Sequence, residues 1–334
     1  MSYTVVRSVE ARDLLGFKSI SQDILDRSQG SNVRVLQIEI DLFEDHESLT
    51  GQIEAWPEAG IETRERFFEA IRHAVHATAV ASIITDPNFG VAPKVDFHFY
   101  GTHSLTDFQE GDGLLDILSH VCTNARKVYG FSEGDIVSIS FQLPTKIGDK
   151  FLLLPIDVDK DIRRSINHLT DDIGAIVLIS AGNSGANLDG VDLFEGHDDF
   201  NKLYSEIAAK SRAIRVGYSN NGCSDTLLSN FGECVDLFCP AESVRAACYD
   251  FNPQTHVGDL IDCVSGGFSR TSASTPMIAG LIACLQSYYR ESSGGKSLTR
   301  DDVMSLVHKT TRTTRINGKS LGRFPSFAEL VANL

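Results

Sequence analysis

The 334-residue chain has no run apolar enough to cross a bilayer: its longest, Ile173–Ala181, is about half of what a spanning helix needs. The opening residues, MSYTVVRSVEARD, contain no apolar signal-peptide core, so neither export by the usual route nor a membrane anchor is expected. Basic residues are scarce, with 30 Lys+Arg against 45 Asp+Glu for a formal net charge of −15. No basic run offers a stripe that could track phosphates, which argues against nucleic acid as a partner. Cysteines in metal or redox spacing are missing too. The seven present, an odd number, are scattered without a C-x-x-C pair and read as reduced thiols of a cytoplasmic protein. Nucleotide-binding loops also fail: no G-x-G-x-x-G follows the first strand candidate. Gly294-Gly295-Lys296-Ser297 has Arg290 where a P-loop needs its earlier glycine, and reads as a solvated loop between two C-terminal helices.

What is present is an ordinary globular composition, 42% hydrophobic and 22% charged with a mean hydropathy of −0.07. Short apolar runs at Val33–Ile40, Val95–Gly101, Asp135–Phe141, Ala175–Gly182 and Ala213–Ser219 have the length and flanks of buried parallel strands. Between them, helical periodicity marks Arg64–Ile84, Gly113–Tyr129, Lys160–Asp172 and Asp199–Arg212. Alternating strands and helices predict an α/β fold with a mainly parallel central sheet covered on both faces. No repeat or linker divides the chain, so a single domain over 1–334 is expected. Residues 1–30 would form a helical segment packed on it, and 285–334 its C-terminal helices. Functional residues of such sheets gather at the carboxyl ends of the strands, here Glu39 and Asp41, Ser140, then Gly182 and Asn183.

The segment Arg270-Thr271-Ser272-Ala273-Ser274-Thr275-Pro276-Met277-Ile278-Ala279-Gly280 sets hydroxyls at the start of a helix that is apolar beyond Pro276. Backbone N–H groups and the helix dipole there favour a developing negative charge. Taken alone, the simpler reading is that Ser272 or Ser274 caps the helix. The segment also resembles the nucleophile motif of subtilisin-like serine proteases, G-T-S-x-A-[ST]-P-x-[VI]-A-G, with Ser272 on the nucleophile. Working backwards, Ile176-Val177-Leu178-Ile179-Ser180-Ala181-Gly182-Asn183-Ser184-Gly185 is similar to the strand ending A-A-G-N-x-G, whose asparagine donates to the oxyanion; without the resemblance Asn183 would read as a turn residue. His76-Ala77-Thr78-Ala79-Val80-Ala81-Ser82 resembles H-G-T-x-V-A-G, and Gly90-Val91-Ala92-Pro93 reproduces the G-V-A-P that follows it. That landmark selects His76 as general base over His73, His98 and His103.

The acid follows from Gly30-Ser31-Asn32-Val33-Arg34-Val35-Leu36-Gln37-Ile38-Glu39, which resembles G-x-x-V-x-V-A-V-I-D and puts Glu39 in the aspartate's place. Asp41, two residues on and so on the same strand face, is the alternative acid. Ser138-Ile139-Ser140-Phe141-Gln142 resembles the strand that pairs with substrate backbone and walls the primary pocket, giving Ser140, Phe141 and Gly182 as substrate-binding candidates. Gln142 stands where a glycine is expected, and Arg270 replaces the glycine ahead of Thr271-Ser272. Fourteen residues separate His76 from Gly90. That is fewer than in members with a calcium-binding insertion there, so neither metal nor cofactor is expected.

The resemblance covers nearly the whole chain and implies a three-layer subtilisin-like fold of the intracellular type without an evident prodomain. It implies a serine endopeptidase acting on protein or peptide substrates through Glu39, His76, Ser272 and Asn183. The alternatives are a pseudoprotease that keeps the groove as a binding module, motivated by Glu39, Arg270 and Gln142, and an acyl hydrolase of small esters or amides. One of the longer loops, Gln52–Glu69, Leu143–Asp172 or Ala186–Asn201, is expected to gate the site, with a regulatory protein as a further partner.

Overall fold

The computed structural model describes residues 9–39, 42, 46, 48–49, 53–55, 67–101, 112–147, 150–189, 205–219, 228–248, 265–310, 313–316 and 319–334. Its strands, in chain order, are β1 (Arg34–Glu39), β2 (Ile53–Ala55), β3 (Asp96–Gly101), β4 (Ile136–Ile139), β5 (Leu143–Ile147), β6 (Lys150–Leu154), β7 (Ile176–Ser180), β8 (Ile214–Ser219), β9 (Leu237–Pro240), β10 (Val244–Ala246), β11 (Ser265–Phe268), β12 (Thr313–Ile316) and β13 (Lys319–Arg323). The helices are α1 (Ala11–Leu14), α2 (Gln22–Arg27), α3 (Phe67–Thr85), α4 (Asp112–Asn124), α5 (Lys160–His168), α6 (Thr271–Ser292), α7 (Arg300–Thr310) and α8 (Phe327–Val331). One sheet runs β12-β13-β9-β8-β7-β4-β1-β3-β2, parallel throughout except at its β12 edge. β5–β6 and β10–β11 are separate antiparallel pairs.

The period-two pattern of the central strands explains the three layers. Val35, Ile136, Ile176 and Leu178 point to one face, where they pack with Ala79 and Ile83 of α3 and Met277, Ile278 and Leu281 of α6. Their neighbours Leu36, Ile38, Val137, Val177 and Ile179 point to the other, against Leu118 and Val121 of α4 and Ile162 and Ile166 of α5. Each fully buried Leu, Ile or Val of this kind contributes about 1.5–3 kcal/mol relative to exposure. A third cluster seats the β5–β6 hairpin: Leu152 and Leu154 pack with Ala181, Leu188 and Phe231, while Phe151 and Leu153 face outward.

α6 crosses beneath the sheet and touches the Gly90-Val91-Ala92-Pro93 segment closely. A Cβ on Gly280 would lie 2.6 Å from the Val91 side chain, and Cys284 Sγ donates to Val91 O at 3.2 Å. Beside β8, Arg215 and Asp157 form a fully buried ion pair, Nη2 to Oδ1 2.9 Å, whose second carboxylate oxygen accepts from Ser211 N–H and Oγ–H.

The five strands and the first three helices expected from periodicity are present, with ends moved by a few residues. Of the fourth helix, 199–204 lie outside the described residues and 205–208 are helical. In the N-terminal segment, Phe17 stacks on Phe327 at 4.2 Å. The C-terminal expectation needs correction: Thr313–Ile316 and Lys319–Arg323 are not helical but form β12 and β13, which extend the sheet beyond β9. Asn317-Gly318 in the sequence is the strongest short-range hairpin signal, and it outweighs the helical reading. Likewise, Leu143–Ile147 and Lys150–Leu154, expected as loop, are the antiparallel strands β5 and β6.

Candidate active site

Glu39 is the last residue of β1, between β3 and β4, and is 1% exposed. Its Oε1 lies 3.4 Å from His76 Nδ1, an ionic contact without the alignment of a hydrogen bond. Burial of the His76 ring disfavours its charged form, yet the Glu39 carboxylate, through charge and contact, more than offsets this and holds the imidazole pKa above its ordinary value. The helix carrying His76 is fastened on both sides. Gln37, on the same strand face as Glu39 and fully buried, donates from Nε2 to Ala77 O at 3.0 Å. Ser82, which stands in place of a glycine of the resembled motif, donates to Ala79 O and accepts from Ala247 N–H, both at 2.8 Å.

Ser272 is the second residue of α6 and 9% exposed. The capping alternative does not hold: Arg270 is the N-cap and its own side chain makes no cap hydrogen bond, while Ser274 Oγ donates back to Thr271 O. The first-turn N–H groups of Ala273 and Ser274 both go to Arg270 O, at 3.0 Å each, whereas the Ser272 N–H has no acceptor among the described residues. That leaves one amide dipole aimed outward at the positive end of a 22-residue helix. Pro276 lacks the N–H that would return to the Ser272 carbonyl.

Asn183 follows β7 and is oriented by Thr271. Its Oδ1 accepts from Thr271 Oγ1 at 2.9 Å and Thr271 N–H at 3.2 Å, so the amide nitrogen is turned away from this contact. Thr271 Oγ1 in turn accepts from Gln142 Nε2 at 3.3 Å. The Gln142 side chain, standing where a glycine is expected, therefore reaches the residue next to Ser272. Ser140, 2% exposed, has an Oγ without a partner, and Phe141 packs on the α4–α5 face. Gly182 is required: its φ is +97°, and a Cβ there would meet Leu153 O at 2.1 Å.

The structure thus pairs Glu39 with His76 and Asn183 with the residue adjoining Ser272. It does not close a hydrogen bond between His76 and Ser272. The two are linked through Phe268, whose ring lies 5.5 Å from that of His76, four residues before Ser272. Asp41 and His103 lie outside the described residues. His98 is engaged with Asp96 at 3.1 Å on β3. Among the described residues no group of three or more His, Cys, Asp or Glu gathers as a metal site, and no helix is long and apolar enough to cross a membrane. Gln37, Thr271 and Phe268 were not marked by the sequence reading.

Sheet and site together define an α/β protein that sets a carboxylate at a strand end against a histidine within one helix and a serine at the start of another. The chain belongs to the subtilase family, whose model matches residues 64–324. That match begins after β1, so the contact of Glu39 with His76 is evidence independent of it. The subtilisin-like serine protease pepC of Aspergillus niger is 25% identical over 285 residues, 82% of this chain and 45% of that protein. The cuticle-degrading protease of Metarhizium anisopliae is 28% identical over 212 residues, 63% of this chain and 44% of the other. The chain thus spans under half the length of these two relatives. Among solved structures, a lanthipeptide protease superposes with a TM-score of 0.65 at 17% identity, covering 97% of this chain and 93% of its own. The prenylagaramide maturation protease PagA gives 0.64 at 16% identity, covering 94% and 98%. At such identities the structures support the fold: a three-layer, subtilisin-like α/β architecture.

Proposed function

We propose that the protein is a serine endopeptidase that hydrolyses peptide bonds through an acyl-enzyme. The observation that carries this is the contact of the buried Glu39 carboxylate with His76, beside the segment that leads into Ser272. Glu39 holds the imidazole at Nδ1, fixing its tautomer and stabilising its charged form. The other ring nitrogen takes the Ser272 hydroxyl proton as Oγ bonds to the peptide carbonyl carbon. The carbonyl oxygen becomes an oxyanion, and the two donors left for it are the Ser272 N–H and the Asn183 amide nitrogen. The imidazolium gives its proton to the departing amine as the C–N bond breaks. Water then attacks the acyl-enzyme, His76 again acting as base, and releases the acid. Free enzymes often hold nucleophile and base apart and tighten them when substrate binds, consistent with the open His76–Ser272 pair.

The second reading, a catalytically impaired protein that binds peptides in the same groove, draws on that open pair and on Gln142 filling a glycine position. A fluorophosphonate probe separates the two, because it reacts usefully only with a serine activated by its base. Labelling of the wild type, lost in Ser272→Ala and in His76→Ala, is the expected result. A folded wild type that takes no label, tested also with peptide present, sinks the hydrolytic reading and favours the binding module.

A further inference from the structure

Arg270 departs from what its backbone allows. Its φ of 72° and ψ of −161° fall in a region that glycine alone occupies at ease. The surroundings enforce it: Arg270 N–H donates to Ala241 O at 2.9 Å, and its carbonyl accepts the N–H groups of Ala273 and Ser274. A glycine would satisfy the same three bonds without strain. What the arginine adds is therefore its side chain, which is exposed and has no hydrogen-bond or ion-pair partner among the described residues. Its charge is felt at Tyr218 on β8, where burial raises the phenol pKa, Arg270 opposes that rise and Glu242 adds to it. The Arg270 backbone lies beside the carboxyl ends of β8 and β9, where Ala241 N–H donates to Ser219 O at 3.2 Å, two residues from Ser272.

The side of the cleft it serves follows from the chemistry. The general acid protonates the departing nitrogen, so the departing half of a substrate passes His76. Phe268 lies against His76, and Phe268 and Arg270 belong to the one segment that enters α6. The acyl half runs along Ser140–Gln142 and Gly182, and Gln142 meets the same segment further on, at Thr271. An otherwise acidic chain, −15 overall, disfavours acidic peptides, and a lone cation at the cleft reverses that locally.

We propose that Arg270 reads the departing half of the substrate and favours peptides with an aspartate or glutamate within the first two residues beyond the cleaved bond. This rests on the hydrolytic reading above. An exposed pair of this kind supports a preference of about two- to fivefold in kcat/KM, declining as salt screens it.

The test incubates wild type, Arg270→Gly and Arg270→Glu with a peptide library, with Ser272→Ala as blank, and identifies cleaved bonds by mass spectrometry. Circular dichroism melts verify that each variant is folded; Arg270→Gly relieves the backbone and keeps the fold. Acidic residues enriched on the departing side for wild type, neutral for Arg270→Gly and replaced by Lys or Arg for Arg270→Glu is the expected result. Cleavage with the same departing-side profile in all three overturns the inference and leaves the hydrolytic reading intact. A wild type that cleaves nothing the blank does not cleave overturns both.

Discussion

Asn230 is fully buried and uses every hydrogen-bonding direction of its amide. Its Nδ2 donates to Leu153 O at 2.7 Å and Ala181 O at 2.8 Å, and its Oδ1 accepts from Ser184 N–H at 3.1 Å and Ala186 N–H at 3.0 Å. Its own N–H adds a bond to Gly182 O at 2.9 Å. One side chain thus clamps the Gly182–Asn183 turn between β7 and the β5–β6 hairpin. Asn230→Asp keeps the shape and removes the two donors. Ionised, the new carboxylate would face two carbonyl oxygens with no cation; protonated, it still donates to one of them. The protonated route leaves one buried carbonyl unmatched, about 1–3 kcal/mol. Holding a carboxyl neutral at pH 7 against a usual pKa near 4 adds about 4 kcal/mol. The expected destabilisation at pH 7 is therefore about 5–7 kcal/mol. Because the folded-state pKa is raised, the folded state holds an extra proton, and the variant recovers stability relative to wild type as pH falls. From pH 7 to pH 5 the gap narrows by about 2.7 kcal/mol. Urea unfolding of both proteins at the two pH values measures it. A gap below about 1 kcal/mol at pH 7, or one unchanged at pH 5, refutes the clamp.

Two further outcomes follow from the same kind of reasoning. Glu39→Gln removes the charge that raises the His76 pKa against burial, so the limb where labelling grows as His76 loses its proton moves to lower pH. Turnover falls by about 10⁴, as when an amide replaces a triad carboxylate; a pH profile with an unmoved limb discounts Glu39 as the partner. Asp157→Asn leaves the fully buried Arg215 guanidinium without its counter-charge and costs about 3–5 kcal/mol in urea unfolding. The double replacement Asp157→Leu with Arg215→Met recovers most of that loss, and failure to recover it would mean that the hydrogen bonds to Ser211, not the charges, hold this corner.

Legibility in the sequence tracks how local each signal is. The segments around Ser272 and His76 are continuous strings in which helix start, apolar face and polar residue sit within a dozen positions, so their resemblance to family motifs could be read without the fold. The central strands were readable because burial on both faces leaves a run such as Ile176-Val177-Leu178-Ile179 with no other reading. Asn230 was not, since its partners are Leu153, Ala181, Ser184 and Ala186, up to 77 residues away, and nothing beside it in the chain announces them. The same holds for Gln37 with Ala77 and for Arg215 with Asp157. Glu39 lies between these cases: a glutamate could be marked at the acid position, but only the approach of α3 to the end of β1 brings it against His76. Departures from a pattern were the most informative local signals. Ser82 in a glycine's place became a latch to β10, Gln142 in another became a donor to Thr271, and Arg270 in a third took on a glycine's backbone. A small residue replaced where the backbone cannot move leaves the new side chain with only the cleft or a neighbour to address. Of the three, Arg270 alone finds no side-chain hydrogen-bond or ion-pair partner among the described residues.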